Sequence, residues 1–353
     1  MWRRKEVIMS DFPVFLLPKG DVMTTARVVG NKVELLNELD FPLGSKCHVT
    51  NTGLAVCLDI NKQLVRYGQF TEEGELIDCK EIVVDIIEAR CISIAGDFII
   101  IAGAMKSGVR SHKDKVIGYS ISKQKFYEIE LPPVCRKGAV KELLTSGSST
   151  VLALYDSVEQ KSLVKISIFG GSNFEISKVD TLVGIGSSSL IEKAVVANNY
   201  ITLLSLVDEK FKLTMNLNIH RMSSLNEYTQ LSMPSYTAKL DFGDKHMDRY
   251  QWVDVFLTQD ERVLLIPSLK GGLGLYEIKD ELIMSRENLN QSKPSEDTEL
   301  IGFVKFKDRS VLNVLKVPDS PEKVIVVCID KNSDYTYSVR SIEKLLGKIL
   351  TSS

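Results

Sequence analysis

The chain has 353 residues, 44% of them hydrophobic and 25% charged, an ordinary globular composition that excludes wholesale disorder. Its 44 Lys and Arg against 46 Asp and Glu leave a net charge of −2, which argues against nucleic-acid binding through bulk charge, since that needs a concentrated basic face. The longest apolar stretches reach about seven residues against the roughly 20 that cross a bilayer, and the opening MWRRKEVIMSDFPVFLL has no continuous apolar region of the signal-peptide kind.

The first elements in chain order are strand-like: FPVFLL from Phe12, MTTARVV from Met23 and KVELLNELDF from Lys32. From Lys46 onward one unit is then built six times. Its conspicuous part is a short, almost wholly apolar run after a polar turn: LAVCL from Leu54, FIIIAG from Phe98, VLALY from Val151, YITLLSL from Tyr200, VLLIP from Val263 and VIVVCI from Val324. The starts are separated by 44, 53, 49, 63 and 61 residues.

Each run is preceded by another strand-like segment: KCHVT, RCISIA, ELLTS, KAVVA, WVDVFLT and VLNVLKV. The turns between the first five pairs, such as NTG at Asn51 and AGD at Ala95, carry residues that tolerate positive φ, so each pair predicts a hairpin. A third segment with clear alternation follows (QLVRYGQF from Gln63, KVIGYSIS from Lys115, SLVKISIF from Ser162), then a more polar fourth (ELIDCKEIV from Glu75, KFYEIEL from Lys125). Burial that rises and then falls across four strands is what a radial propeller blade requires.

The expectation is therefore an all-β protein, a β-propeller of six or seven four-stranded blades over residues 1–340. About 50 residues per unit favours seven. The last unit is short of an outer strand, so the N-terminal strand material is expected to complete it and remove the exposed edge. Residues 341–353 are set apart. There Ile342, Leu345, Leu346, Ile349 and Leu350 fall on one face, an amphipathic helix whose apolar stripe is covered by the last blade or by a partner.

The six cysteines, at 47, 57, 79, 91, 135 and 328, show no CxxC pair and no close, even spacing. All six are expected to be reduced, in a cytoplasmic or nuclear protein. With only four scattered histidines no zinc site is expected, and no cofactor motif stands out. VGIGSSS at Val183 and GGLG at Gly271 run into strands rather than the helix a phosphate loop needs. No GxSxG elbow occurs, and the carboxylates Asp97, Asp156, Asp208 and Asp260 sit by hairpin turns.

The segment AMKSGVRSHKDK holds Lys106, Arg110, His112, Lys113 and Lys115 against a single Asp114. It joins the second and third strands of one blade, on the face where the blade-to-blade connections also lie. Such a patch attracts an acidic peptide, a lipid headgroup or a phosphate. Arg249 and Tyr250, in DFGDKHMDRYQW, combine a cation and an aromatic as interface anchors do. With Leu346, Ile349 and Leu350 of the terminal helix, these are the candidate partner contacts.

The four-strand unit at this spacing resembles the WD-repeat class of β-propellers over nearly the whole chain, although no unit carries that class's Gly-His pair or Trp-Asp ending. The resemblance implies a rigid, non-catalytic scaffold that binds proteins through its loop-rich face, as one subunit of an assembly of the trafficking, nuclear-transport or chromatin kind. Two alternatives stand beside it: a nucleotide-exchange regulator of a small GTPase, and a metal-dependent propeller hydrolase or lactonase.

Overall fold

The computed structural model describes residues 13–20, 22–42, 45–50, 52–84, 86, 88–104, 114–133, 138–146, 148–157, 161–169, 173–181, 190–197, 200–209, 212–221, 224–232, 256–257, 263–268, 272–277, 300–306, 309–317, 320–330, 332 and 334–350. Its described strands form seven antiparallel sheets, each made from strands consecutive in the chain. The first sheet holds β1 (Val14–Lys19), β2 (Val22–Val29) and β3 (Lys32–Pro42). The second holds β4 (Lys46–Val49), β5 (Leu54–Asp59), β6 (Leu64–Phe70) and β7 (Leu76–Val83). The third holds β8 (Glu88–Ala95), β9 (Phe98–Ala104), β10 (Asp114–Ser120) and β11 (Lys125–Ile129). The fourth holds β12 (Gly138–Thr145), β13 (Thr150–Ser157), β14 (Lys161–Phe169) and β15 (Asn173–Thr181). The fifth holds β16 (Leu190–Ala197), β17 (Tyr200–Glu209), β18 (Lys212–Arg221) and β19 (Ser224–Ser232). The sixth holds β20 (Phe256–Leu257), β21 (Val263–Ser268), β22 (Gly272–Glu277) and β23 (Leu300–Lys305). The seventh holds β24 (Arg309–Val317), β25 (Ser320–Asp330) and β26 (Tyr335–Ser341), followed by the helix α1 (Ile342–Leu350).

The apolar runs are the second strands of sheets two to seven. β9 is buried along its whole length, and β5 and β13 are buried after their first residue. A strand covered on both faces has no side from which polar residues reach water, hence the absence of alternation. Burial falls outward: β6 alternates, and β7 exposes five successive residues. Gly96, in the β8–β9 turn, takes a positive φ of 56°, which glycine adopts without a steric penalty.

The core is a series of layers between neighbouring sheets. Val56, Leu58 and Val65 of the second sheet meet Ile92, Ile99 and Ile101 of the third. The opposite face of the third sheet sets Phe98, Ile100 and Val116 against Val140, Val151 and Val164 of the fourth. Leu152 and Leu154 continue to Ile201 and Leu203 of the fifth. Each fully buried Val, Leu, Ile or Phe contributes roughly 1.5–3 kcal/mol, so the stability of the fold lies mainly between the sheets.

The first strands of four sheets share one device. A register shift falls between Ala89 and Cys91 in β8, Val140 and Glu142 in β12, Ile191 and Lys193 in β16, and Val311 and Asn313 in β24. Each is a bulge that bends its strand and releases one residue from the ladder. Beside the first of them Gly103 is required, because a Cβ there would lie 2.1 Å from the Glu88 carbonyl oxygen.

The expected donation of an N-terminal strand to the last sheet is not what the described strands do: β1, β2 and β3 pair with one another, and the first and seventh sheets each show three described strands. Packing joins those two sheets instead. Leu17 and Ala26 are buried with Val317, Ile325 and Val327, and the Tyr337 hydroxyl donates to the Pro18 carbonyl. Helix α1 lies against β23, β25 and β26, with Leu345 buried among Leu273, Val311, Val314, Val324 and Val326. It thus covers the apolar side of a sheet that shows no fourth described strand.

The expectation of six reduced cysteines is corrected. Cys47 and Cys57 are cross-strand partners in β4 and β5 and are joined by a disulfide. A short turn between adjacent antiparallel strands brings directly opposed residues within reach of one bond. Cys79, Cys91 and Cys328 are free, and Cys135 lies outside the described residues.

Candidate interaction face

In each up-and-down sheet the connection from second to third strand leaves from the end at which the first strand begins. The third sheet shows this directly, since Ala104 is paired with both Glu88 and Asp114. The segment 105–113 between β9 and β10 has nine residues, whereas the corresponding connections are 60–63, 158–160, 210–211, 269–271 and 331–334. The third sheet therefore carries a nine-residue connection where these five have two to four residues. Lys106, Arg110, His112 and Lys113 belong to it and lie outside the described residues, as do Arg249 and Tyr250.

What the structure describes is the base from which that segment springs. Lys115 is half-buried, with Nζ 3.1 Å from a Glu128 carboxylate oxygen on β11. The side chain of Asp114 is 3% exposed, and its carboxylate accepts Arg90 Nη2 at 2.6 Å and the Val140 N–H at 2.6 Å. Arg90 also lies 3.6 Å from Glu88. Burial works against the Arg90 charge, but the Asp114 carboxylate outweighs it and holds the guanidinium above its ordinary pKa.

Next to Arg90, the buried Cys91 thiol donates to the Lys141 carbonyl at 3.0 Å. Burial pushes that thiol well above its ordinary pKa, and the charges of Glu142, Lys46, Arg90 and Asp114 act on it from around. Lys46 and Glu142 are themselves paired at 3.5 Å. Lys46 begins β4, Arg90 is in β8 and Glu142 in β12, so three sheets converge here on one charged cluster. On the fourth sheet, at the β13–β14 connection, Lys161 and Asp156 form a buried ion pair, with Lys161 Nζ also donating to the Ser157 carbonyl at 3.3 Å.

The other candidates are dispersed. Leu346 is partly buried and packs with Ile342 on the cluster around Leu345, while the side chains of Ile349 and Leu350 lie outside the described residues. Asp97 faces the β10–β11 turn at the opposite end of the third sheet, where it accepts from the Ser120 and Ser122 hydroxyls. Asp208 falls in β17 and Asp260 lies outside the described residues. Among the described residues no three His, Cys, Asp or Glu side chains come together as a metal group, and no helix is long and apolar enough to cross a membrane.

Sequence reasoning missed Arg90, Lys46 and Glu142, and it counted Asp114 only as a charge offsetting its basic neighbours. Nothing local marks them. Arg90 is brought to Asp114 by a bulge, and Lys46 to Glu142 by the arrangement of whole sheets.

No protein-family model matches the chain, and no curated protein matches it in sequence. Solved structures do. A candidate 6-phosphogluconolactonase from Bacteroides fragilis aligns over 93% of both chains with 13% identity and a TM-score of 0.55. Hsv2 from Kluyveromyces lactis aligns over 94% of this chain and 95% of its own, with 8% identity and a TM-score of 0.52. The Cps50 (Swd1) β-propeller domain from Myceliophteria thermophila aligns over 87% of this chain and 88% of its own, with 12% identity and a TM-score of 0.49. At such identities the two likenesses with TM-scores above 0.5 show a propeller-like fold and nothing finer.

Proposed function

We propose that the chain is a non-catalytic interaction scaffold, a closed ring of seven sheets whose loop-rich face binds an acidic segment of a partner protein at residues 106–115. The observation that carries this reading is the nine-residue connection of the third sheet, where its counterparts have two to four residues. An insertion confined to one sheet adds nothing to the repeated core, and this one adds Lys106, Arg110 and Lys113 without one acidic residue between 105 and 113. At its base Lys115, Arg90 and Lys46 already face Glu128, Asp114 and Glu142. The excess positive charge of this region therefore lies in the segment itself.

The test is a direct titration with a fluorescein-labelled decaglutamate peptide, followed by anisotropy. Replacing Lys106, Arg110 and Lys113 together by Glu is expected to weaken binding at least tenfold, to flatten its salt dependence and to leave the melting temperature unchanged. Equal binding by the triple variant would remove the site. Competition by millimolar inorganic phosphate, with no effect of unlabelled peptide, would instead assign the face to phosphate. The fold likeness to a candidate lactonase brings no residue of this chain to an active site, so the hydrolase reading has no residue-level support of its own.

A further inference from the structure

The first sheet is held to its two neighbours in different ways. On the side of the second sheet, Met23, Leu39 and Phe41 are buried with Ala55, Cys57 and Phe70. Polar contacts cross the same boundary. The Thr25 hydroxyl lies 3.0 Å from the Gly74 carbonyl oxygen, Asn37 Nδ2 donates to the Glu73 carbonyl at 3.1 Å, and Arg66 Nη1 donates to the Asp40 carbonyl at 2.9 Å. The Arg66 guanidinium also lies 5.9 Å from the centre of the Phe41 ring. Residues 43–45 alone separate β3 from β4 in the chain, so these contacts re-form at high effective concentration whenever they break.

On its other side the first sheet meets the seventh. Leu17 and Ala26 are buried there with Val317, Ile325 and Val327, and the Tyr337 hydroxyl donates to the Pro18 carbonyl. Among the described residues no strand of the first sheet pairs with a strand of the seventh. These two sheets stand at opposite ends of the chain order, so no short connection keeps their contacts together, as it does between the first sheet and the second.

We propose that the boundary between the first and seventh sheets is a built-in opening seam: it parts while the sheets themselves stay folded, the first sheet remains docked on the second, and the Tyr337–Pro18 hydrogen bond is its latch. Parting there breaks no described backbone ladder and uncovers an apolar row on each side, Leu17 and Ala26 on one and Ile325 and Val327 on the other. The seam does not depend on what the basic segment binds.

A buried thiol reports such parting directly, because alkylation of the folded chain follows the population of its open form. Full-length variants Ala26→Cys and Val327→Cys place a thiol on either side of the seam. Ala153→Cys places one in the layer between the third and fourth sheets, where Ala153 is as fully buried as Ala26, both being 0% exposed. With iodoacetamide and peptide mass analysis, positions 26 and 327 are expected to react at least about tenfold faster than position 153. Tyr337→Phe, added to each, removes the hydroxyl and keeps the ring. It is expected to speed alkylation at positions 26 and 327 about threefold to tenfold, the effect of one lost hydrogen bond, and to leave position 153 unchanged. Arg66→Met, which loosens the opposite side of the first sheet, is expected to leave positions 26 and 327 within about twofold.

Equal rates at the three positions would overturn the seam. So would an equal acceleration by Tyr337→Phe at all three, because that marks general destabilisation, and no acceleration at positions 26 and 327 would remove the latch. Acceleration by Arg66→Met as large as that by Tyr337→Phe would show the first sheet leaving both neighbours together and would overturn its docking on the second. The two seam positions probe opposite sides of the same layer, so either one carries the comparison if the other variant does not fold.

Discussion

Lys46 of β4 and Glu142 of β12 face each other at 3.5 Å although an entire sheet, β8 to β11, lies between their strands in the chain. Two strands separated by a whole sheet approach this closely only where first strands converge. The contact accordingly marks the inner side of the sheets and places the β-bulges of β8 and β12 beside it.

Partial exposure limits what this pair contributes. The side chains are 31% and 13% exposed, so water screens the attraction, and a double-mutant cycle with Lys46→Met and Glu142→Gln is expected to give a coupling of about 0.5–1 kcal/mol. Urea denaturation of the four proteins measures it. A coupling indistinguishable from zero would mean that the two groups do not pair in solution.

Lys161 and Asp156 are a different case, with side chains 4% and 7% exposed. Removing one member leaves a charge without its partner in an apolar surrounding, so Asp156→Ala is expected to cost about 3–5 kcal/mol. Replacing both, as Lys161→Met with Asp156→Leu, is expected to cost far less than either single change, because no orphaned charge remains. The order of urea midpoints decides the matter. A double variant weaker than both singles would show that the pair is net stabilising against an apolar substitute.

Asp97 supplies a pH signature at the opposite end of the third sheet. Burial alone would raise its pKa, but the Ser120 and Ser122 hydroxyls and the Ser122 N–H donate to the carboxylate and hold it below the usual value of 3.8. A carboxyl depressed in the folded state binds its proton more readily when unfolded. Its contribution is therefore fully present above the unfolded pKa and is lost as pH falls through the folded one. The stability difference between the parent chain and Asp97→Asn is expected to be largest near about pH 6 and to shrink toward about pH 3. A difference constant with pH would remove Asp97 as an acid-sensitive latch.

The strands were legible because their signals are local. A strand packed on both faces loses alternation, and a turn before it shows Gly or Asn, so Phe98 to Ala104 announces itself in seven residues. The face was legible only as composition. Lys106, Arg110 and Lys113 read as a basic segment, yet the charged cluster at Asp114 beside it depends on Arg90 reaching across a strand and on Val140 from another sheet. Such contacts are set by a bulge and by how sheets pack, neither of which leaves a periodic mark in the residues.

The cysteines make the same point and give the last test. Cys47 and Cys57 are ten residues apart, a spacing that signals nothing until the hairpin register sets them opposite one another. The free thiols differ in environment: Cys79 is exposed on the outer strand β7, whereas Cys91 and Cys328 are buried. Burial pushes Cys328 up to about 11 and Cys91 upward as well, so neither holds appreciable reactive thiolate at neutral pH. Iodoacetamide added to the folded chain, followed by peptide mass analysis, is expected to label Cys79 promptly and Cys91 and Cys328 only in denaturant. Cys47 and Cys57 should require a reductant in addition to denaturant. Labelling of Cys47 without reductant would return the chain to the fully reduced state that cysteine spacing suggested, and with it the simplest argument for a reducing compartment.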